Sequence, residues 1–145
     1  MTDLKTDIIQ ISHKNIELLE DFLSRIEKSK KTFRYYDNRD IQCKENHLVT
    51  LACIFEGKTI AYGHLDKEGQ KVWLGACVAD LYHGKGLGRK IVKHLLEHGK
   101  KLGLENIELS VDIGNKNAYH IYEKFGFVLH DKNEKAFFMK KAFDT

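Results

Sequence analysis

The apolar positions of this chain change period several times, and each change predicts an element. Residues 7–12, "DIIQIS", alternate apolar and polar and predict a first β-strand. Ser12 can then accept an N–H at the start of a helix reaching about Lys28, because Ile16, Leu19, Phe22, Leu23 and Ile26 return on one helical face. The pattern breaks over "KSKKTFRYYDNRD". Three β-rich runs fill residues 47–78, divided by "EGK" and "DKEGQ", and predict an antiparallel meander of two hairpins. From Leu87 to Gly103 the period is helical again: Leu87, Ile91, Val92, Leu95, Leu96 and Leu102 fill one half of the wheel, with Arg89, Lys90, Lys93, Glu97, Lys100 and Lys101 on the other. "NIELSVDI" predicts another strand, Asn115 can cap a short helix stopped by Gly126, and "FVLHDKNEKAFFMKKAF" predicts a closing hairpin. This order predicts an α+β fold: a mixed, mostly antiparallel sheet of about six to seven strands in three layers, with helices on both faces.

Composition narrows the class without naming it. The 145 residues suit one domain over residues 1–145, and 42% hydrophobic with 31% charged residues is ordinary for a globular chain. No apolar run reaches bilayer length, and the N-terminus lacks the basic start and apolar core of a signal peptide, so a cytoplasmic protein without a membrane partner is expected. A net charge of +3 is compatible with a polyanionic ligand and too small to imply nucleic acid. Cys43, Cys53 and Cys77 have no zinc-type spacing and read as reduced thiols, so no metal is expected. Proline is absent, which leaves the turns to Gly, Asn and Asp.

The most informative glycines lie in "YHGKGLGRK", residues 82–90, between an apolar run and a long helix. A glycine loop that opens a helix is a candidate anion cradle, and three motifs compete for it. A P-loop needs Gly-Lys followed by Ser or Thr at a fixed spacing, which is missing. The dinucleotide fingerprint needs a third glycine where Arg89 stands, and the preceding strands form a meander rather than the start of a βαβ unit. The stretch "ACVADLYHGKGLGRKIV" resembles the acetyl-coenzyme A loop of the GNAT-type N-acetyltransferases, with the pattern [Q/R]-x-x-G-x-[G/A]; His83 departs from it, standing where that family prefers Gln or Arg. Downstream, "NKNAYHIYEKFGF" from Asn115 to Phe127 is similar to a second feature of the same family.

The resemblance implies acetyl-coenzyme A as co-substrate and direct acetyl transfer to the amine of a small molecule through a tetrahedral intermediate. It places the coenzyme on Ala76, Cys77, Val78, His83, Gly84, Lys85, Gly86, Leu87, Gly88, Arg89, Asn115 and Tyr122. Elementary chemistry agrees: backbone N–H groups approach phosphate oxygens most closely where no Cβ intervenes, as at Gly84, Gly86 and Gly88, while Lys85 and Arg89 add charge-assisted bonds. The resemblance further implies a bulge near Gly75 to Val78, the Val78 N–H as donor to the thioester carbonyl, and Tyr122 as the acid that protonates the departing thiolate. Periodicity alone allows the alternative of Tyr122 as a core tyrosine.

The base is less determined. The family often carries a glutamate where this chain has Val72, next to Trp73. If "DKEGQ" is the turn, His64 lies opposite residue 72 or 73 and can fill the vacancy, with Asp66 orienting it. A surface histidine at a strand end and a water chain are the alternatives. Cys77 reads as a small apolar strand residue rather than a nucleophile. For the acceptor, Arg34, Tyr35 and Tyr36 in "TFRYYDNRD" combine cations with stacking surfaces and suit an amino sugar or its nucleotide, against the alternative of aromatics that plug the sheet. Polyamines, aminoglycoside-like amines and protein N-termini stay open as acceptors. A non-catalytic acyl-coenzyme A sensor is the rival function, and a monomer or homodimer is expected.

Overall fold

The structure, a computed structural model, describes residues 5–12, 14, 17–23 and 47–143. Its backbone follows the predicted changes of period: β1 (Asp7–Gln10), α1 (Glu17–Leu23), β2 (His47–Phe55), β3 (Lys58–Glu68), β4 (Lys71–Val78), α2 (Leu87–Lys101), β5 (Asn106–Asp112), α3 (Lys116–Lys124), β6 (Val128–Lys132) and β7 (Ala136–Ala142). Ser12 accepts the backbone N–H of Lys14 at 3.3 Å just before α1. The expected continuation of α1 toward Lys28 lies outside the described residues. The strands form a seven-stranded sheet in the order β1-β2-β3-β4-β5-β7-β6, antiparallel throughout except for β4 beside β5. The mixed α+β sheet read from the sequence is the one that forms.

Both hairpins are tighter than the sequence suggested. Phe55 pairs with Lys58 across Glu56 and Gly57, whose φ values of 49° and 77° are those of a two-residue turn matched to the strand twist. Glu68 pairs with Lys71 across Gly69 and Gln70, so Asp66, Lys67 and Glu68 are strand rather than loop. That slides the register: His64 stands opposite Gly75 and Asp66 opposite Trp73, not His64 opposite residue 72 or 73. The pairing of β3 with β4 then runs unshifted to Ala61 and Val78, so the bulge expected near Gly75 is not formed against β3.

Alternation along β3 puts neighbours on opposite faces. A Cβ on Gly63 would stand 2.4 Å from Ile91 Cγ2 and 2.8 Å from Leu95 Cδ1, so α2 lies directly on that face. The ring of Tyr62, one residue away, is 5.8 Å from Phe22 of α1 on the other face. Between the sheet and α2, Leu65, Leu74, Ile91, Leu95, Ile107, Leu109 and Met139 are buried in one cluster. Each such side chain contributes about 1.5–3 kcal/mol by leaving water.

The sheet is not continuous from end to end. The described register between β4 and β5 consists of one pair, Trp73 with Glu108. Beyond it β4 runs on to Val78 held by β3, and β5 runs on to Asp112 held by β7. With both strands secured on their outer sides, their divergence opens a wedge within the sheet without fraying either one.

Gly63→Ala should destabilise the fold by about 1–3 kcal/mol, because the added methyl meets a branched side chain and the Gly75 carbonyl oxygen at 3.2 Å, neither of which can swing away. Urea unfolding of the variant against the parent measures it. An unchanged midpoint would show that α2 sits further from β3 than described.

Candidate active site

The wedge is lined by main chain. The Ala79 N–H donates to the Ile60 carbonyl at 2.8 Å, continuing the β3–β4 ladder. Antiparallel ladders alternate bonded and non-bonded pairs, so the peptide groups of Ala76 and Val78 turn away from β3 and toward β5, into the wedge. The Val78 carbonyl is met there by His83, whose Nε2 lies 2.7 Å away. A carbonyl can only accept, so this nitrogen carries the hydrogen.

The loop that follows has the shape of an anion cradle. Gly84 and Gly86 have φ of 78° and 80°, the left-handed region that glycine enters without strain. Gly86 caps α2 without a side-chain hydrogen bond, and no acid occupies the first turn. The N–H groups of that turn and the positive end of the helix therefore point at whatever occupies the loop. Gly88 is within the helix, where a Cβ would be in ordinary contact at 3.9 Å from Val78 Cγ2. Lys90 takes no part in the loop: its Nζ donates to the carbonyl and hydroxyl oxygens of Thr6, tying the segment before β1 to α2.

The third side is α3. The Asn115 side chain accepts the Ala118 N–H at 3.2 Å and starts the helix. Tyr122, 5.8 Å from the ring of Phe127, has its hydroxyl pKa pushed up to about 12, by burial first and by nearby Cys77 second. Tyr119, off that face, packs edge-on against Phe137 at 5.1 Å. Together the three sides enclose a cavity of about 1130 Å³.

All the residues expected to hold the coenzyme line this one cavity: Ala76, Cys77, Val78, His83, Gly84, Lys85, Gly86, Leu87, Gly88, Arg89, Asn115 and Tyr122. It is also lined by Tyr82, Val92, Asn117, Ala118, His120, Ile121, Glu123 and Lys124, which the sequence reading did not single out. Helical spacing from Asn115 and Tyr122 could have found the α3 members, since one face of a short helix is bound to share a wall.

His64 and Asp66 are placed elsewhere. They are buried, at 1% and 0% exposure, with the Tyr62 hydroxyl 2.6 Å from His64 Nδ1 and Asp66 Oδ2 3.7 Å from His64 Nε2. Neither lines the cavity, and the surface position offered as the alternative for His64 is ruled out by its burial. Arg34, Tyr35 and Tyr36 lie outside the described residues.

Comparison with known proteins decides the family. Residues 14–127 match the Acetyltransferase (GNAT) family. The chain belongs to that family. It is 39% identical over 64 residues to the spermine/spermidine N(1)-acetyltransferase of Bacillus subtilis (strain 168), covering 43% of this chain and 42% of that one. It is 39% identical over 46 residues to the mycothiol acetyltransferase of Propionibacterium freudenreichii, covering 32% and 15%. The chain thus matches less than half the length of these relatives. Among solved structures it is similar in fold to the ribosomal-protein-S18-alanine N-acetyltransferase from Escherichia coli, with a TM-score of 0.75 at 21% identity over 97% of this chain and 95% of that one. The PaiA N-acetyltransferase from Thermoplasma acidophilum, solved with coenzyme A, gives 0.73 at 19% identity over 97% and 100%.

The co-substrate of the GNAT family is acetyl-coenzyme A. The residues fit that group: two left-handed glycines and a helix start with no side-chain cap suit a pyrophosphate, and β4 peptide groups facing the wedge suit the amides of a pantetheine arm. Gly86→Ala forces a Cβ into the left-handed region at about 1–2 kcal/mol and should weaken coenzyme A binding about fivefold or more. Calorimetric titration checks this, and an unchanged affinity would mean that the loop does not hold the phosphates.

Proposed function

We propose that the chain is a single N-acetyltransferase domain that moves the acetyl group of acetyl-coenzyme A to a primary amine of a small molecule by direct attack. The observation that carries this reading is the meeting of the glycine loop, the wedge and the enclosed Tyr122 hydroxyl in one cavity. In the proposed step the amine nitrogen attacks the thioester carbonyl carbon, and the Val78 N–H donates to the oxygen as it gains charge. The C–S bond then breaks, Tyr122 gives its proton to the sulfur, and the proton lost from the nitrogen restores the tyrosine. A hydroxyl with a pKa of about 12 stays protonated at any working pH, as an acid must. It is also a weaker acid than an ordinary thiol, so its transfer of a proton to the departing sulfur is uphill by itself and is drawn forward by the tyrosinate's recovery of a proton from the more acidic nitrogen of the intermediate.

Tyr122→Phe should lower turnover about 100-fold or more while leaving coenzyme A affinity within about twofold. Stopped assays of thiol release, paired with calorimetry, measure both. A non-catalytic sensor on this fold would have no turnover to lose in the parent protein. Because Tyr122 ionises only near pH 12, any fall in rate at lower pH belongs to another group.

For the earlier proton, the one an ammonium must lose before its nitrogen can attack, we keep His64 and Asp66 in the proposal, because His64 stands across from Gly75, the residue of β4 that puts no side chain in the way. The pH–rate profile of His64→Gln tests it. An acidic limb that disappears or shifts supports the role; a uniform fall in stability with an unchanged profile assigns His64 to packing alone.

The acceptor is a primary amine, screened first among polyamines and then among amino sugars and their nucleotides. Polyamines are prompted by the named substrate of the Bacillus relative, and amino sugars by the cations and aromatics of "TFRYYDNRD". Among the described residues no helix is long and apolar enough to cross a membrane.

A further inference from the structure

We infer that Trp73 and Glu108 form a subsite for the far ammonium of a linear polyamine acceptor, one whose terminal nitrogens lie about 10–12 Å apart in the extended chain. The inference rests on the proposed acetyltransferase reading and names the acceptor class that fits it. Glu108 is buried, and its two ionic neighbours, Lys71 Nζ and His130 Nε2, each stand 3.9 Å from Oε1, beyond hydrogen-bond reach. No hydrogen bond reaches this carboxylate from the described residues, a state that costs free energy and that a ligand carrying N–H donors relieves. Lys71 shows which donors fit. Its half-exposed ammonium, on a flexible alkyl stem, lies 5.8 Å over the Trp73 ring as well as beside Glu108. A ring face next to a carboxylate suits an alkylammonium ion. A pairing this exposed adds little energy, so Lys71 can return to water when a substrate ammonium takes its place.

The place of this subsite relative to the coenzyme sets the length of the acceptor. Trp73 and Glu108 do not line the coenzyme cavity; they are paired at the closed end of the wedge, where β4 and β5 join. Paired residues share a face of the sheet, and so do alternate residues of one strand. Trp73, Gly75 and Cys77 therefore follow one another on one face of β4, and Cys77 stands at the cavity beside Tyr122. Gly75, between them, sets no side chain in the path, and His64 flanks it from β3. At about 3.3 Å per residue the path from Trp73 to Cys77 spans about 13 Å. The attacking nitrogen stops about 3 Å short of the thioester carbon, which leaves about 10 Å between the two nitrogens. An extended chain advances about 1.2 Å per bond, so about eight to ten bonds between nitrogens fit. Asp66, opposite Trp73 on β3, adds a second acid to that face, and Lys140, opposite Glu108 on β7, adds a cation at its far side.

The test is thiol release from acetyl-coenzyme A by the full chain with the terminal diamines of butane, hexane, octane and decane, and with octylamine as the chain that lacks a far charge. In the parent, octanediamine should exceed both butanediamine and octylamine in kcat/KM by about tenfold or more. Glu108→Gln should raise KM for octanediamine about tenfold, keep kcat within about twofold and leave octylamine unchanged. Lys71→Ala should lower KM for octanediamine about two- to threefold, because no side-chain ammonium then competes for the subsite. A Glu108 that only joins the strands would lose both substrates alike on substitution, and that result overturns the inference. So does a Lys71→Ala variant with a raised KM. If Glu108→Gln does not fold, the parent's length series decides: a maximum at octane supports the subsite, and equal rates from butane to decane overturn it. Release from octylamine as fast as from octanediamine also overturns the subsite while leaving the acetyltransferase reading standing. No release from any amine, with coenzyme A bound, overturns both.

Discussion

The cavity among the described residues depends on one point of contact between β4 and β5. Trp73 and Glu108 are paired there, and above them the two halves of the sheet part company. Side chains reinforce the contact: the Lys71 ammonium lies 5.8 Å over the Trp73 ring and 3.9 Å from Glu108, and His130 approaches the same carboxylate at 3.9 Å. Lys71 is half exposed, so its pairing adds little energy by itself. The contact matters because of where it ends. A parallel pair that continued to Val78 would use the β4 peptide groups in a ladder, and nothing would remain to receive a ligand's amides.

The wedge also fixes what the glycine loop faces. The three-residue turn Asp80–Tyr82 carries the chain off β4, and α2 returns across the face marked by Gly63, where only a missing side chain lets Ile91 and Leu95 reach the sheet. The helix start is thereby fixed close above the strand end. Its dipole, the left-handed glycines and the β4 peptides address a single volume. His83 ties the strand end to the loop directly, through the Val78 carbonyl. On the opposite face the polar run Tyr62, His64 and Asp66 is buried at alternate positions of β3, an arrangement that is expensive unless its members satisfy one another.

Much of this was legible along the chain. The element order, the mixed sheet and the cavity wall from Gly84 to Arg89 follow from local signals: changes of period, glycines where a positive φ is needed, and a helix that opens directly after them. The placing of His64 did not follow, because it turns on two residues of hairpin. Counting "DKEGQ" as loop moves the register and sends His64 to a strand end, whereas closing the turn at Gly69 and Gln70 buries it opposite Gly75. Composition cannot distinguish those turns. The partner of His83 was equally hidden: sequence offers a donor next to an anion cradle, and only the path of the chain brings a carbonyl five residues back within reach.

By itself, then, the sequence determined the elements and the glycine loop that walls the cavity, because hydrophobic period, helix capping and glycine conformation act over a few residues. The tertiary structure alone decided where β4 and β5 separate, which polar groups go under the sheet, and that Tyr122 is enclosed beside Cys77 with its proton held up to about pH 12. Those are outcomes of long-range pairing and desolvation, which depend on what the rest of the chain covers.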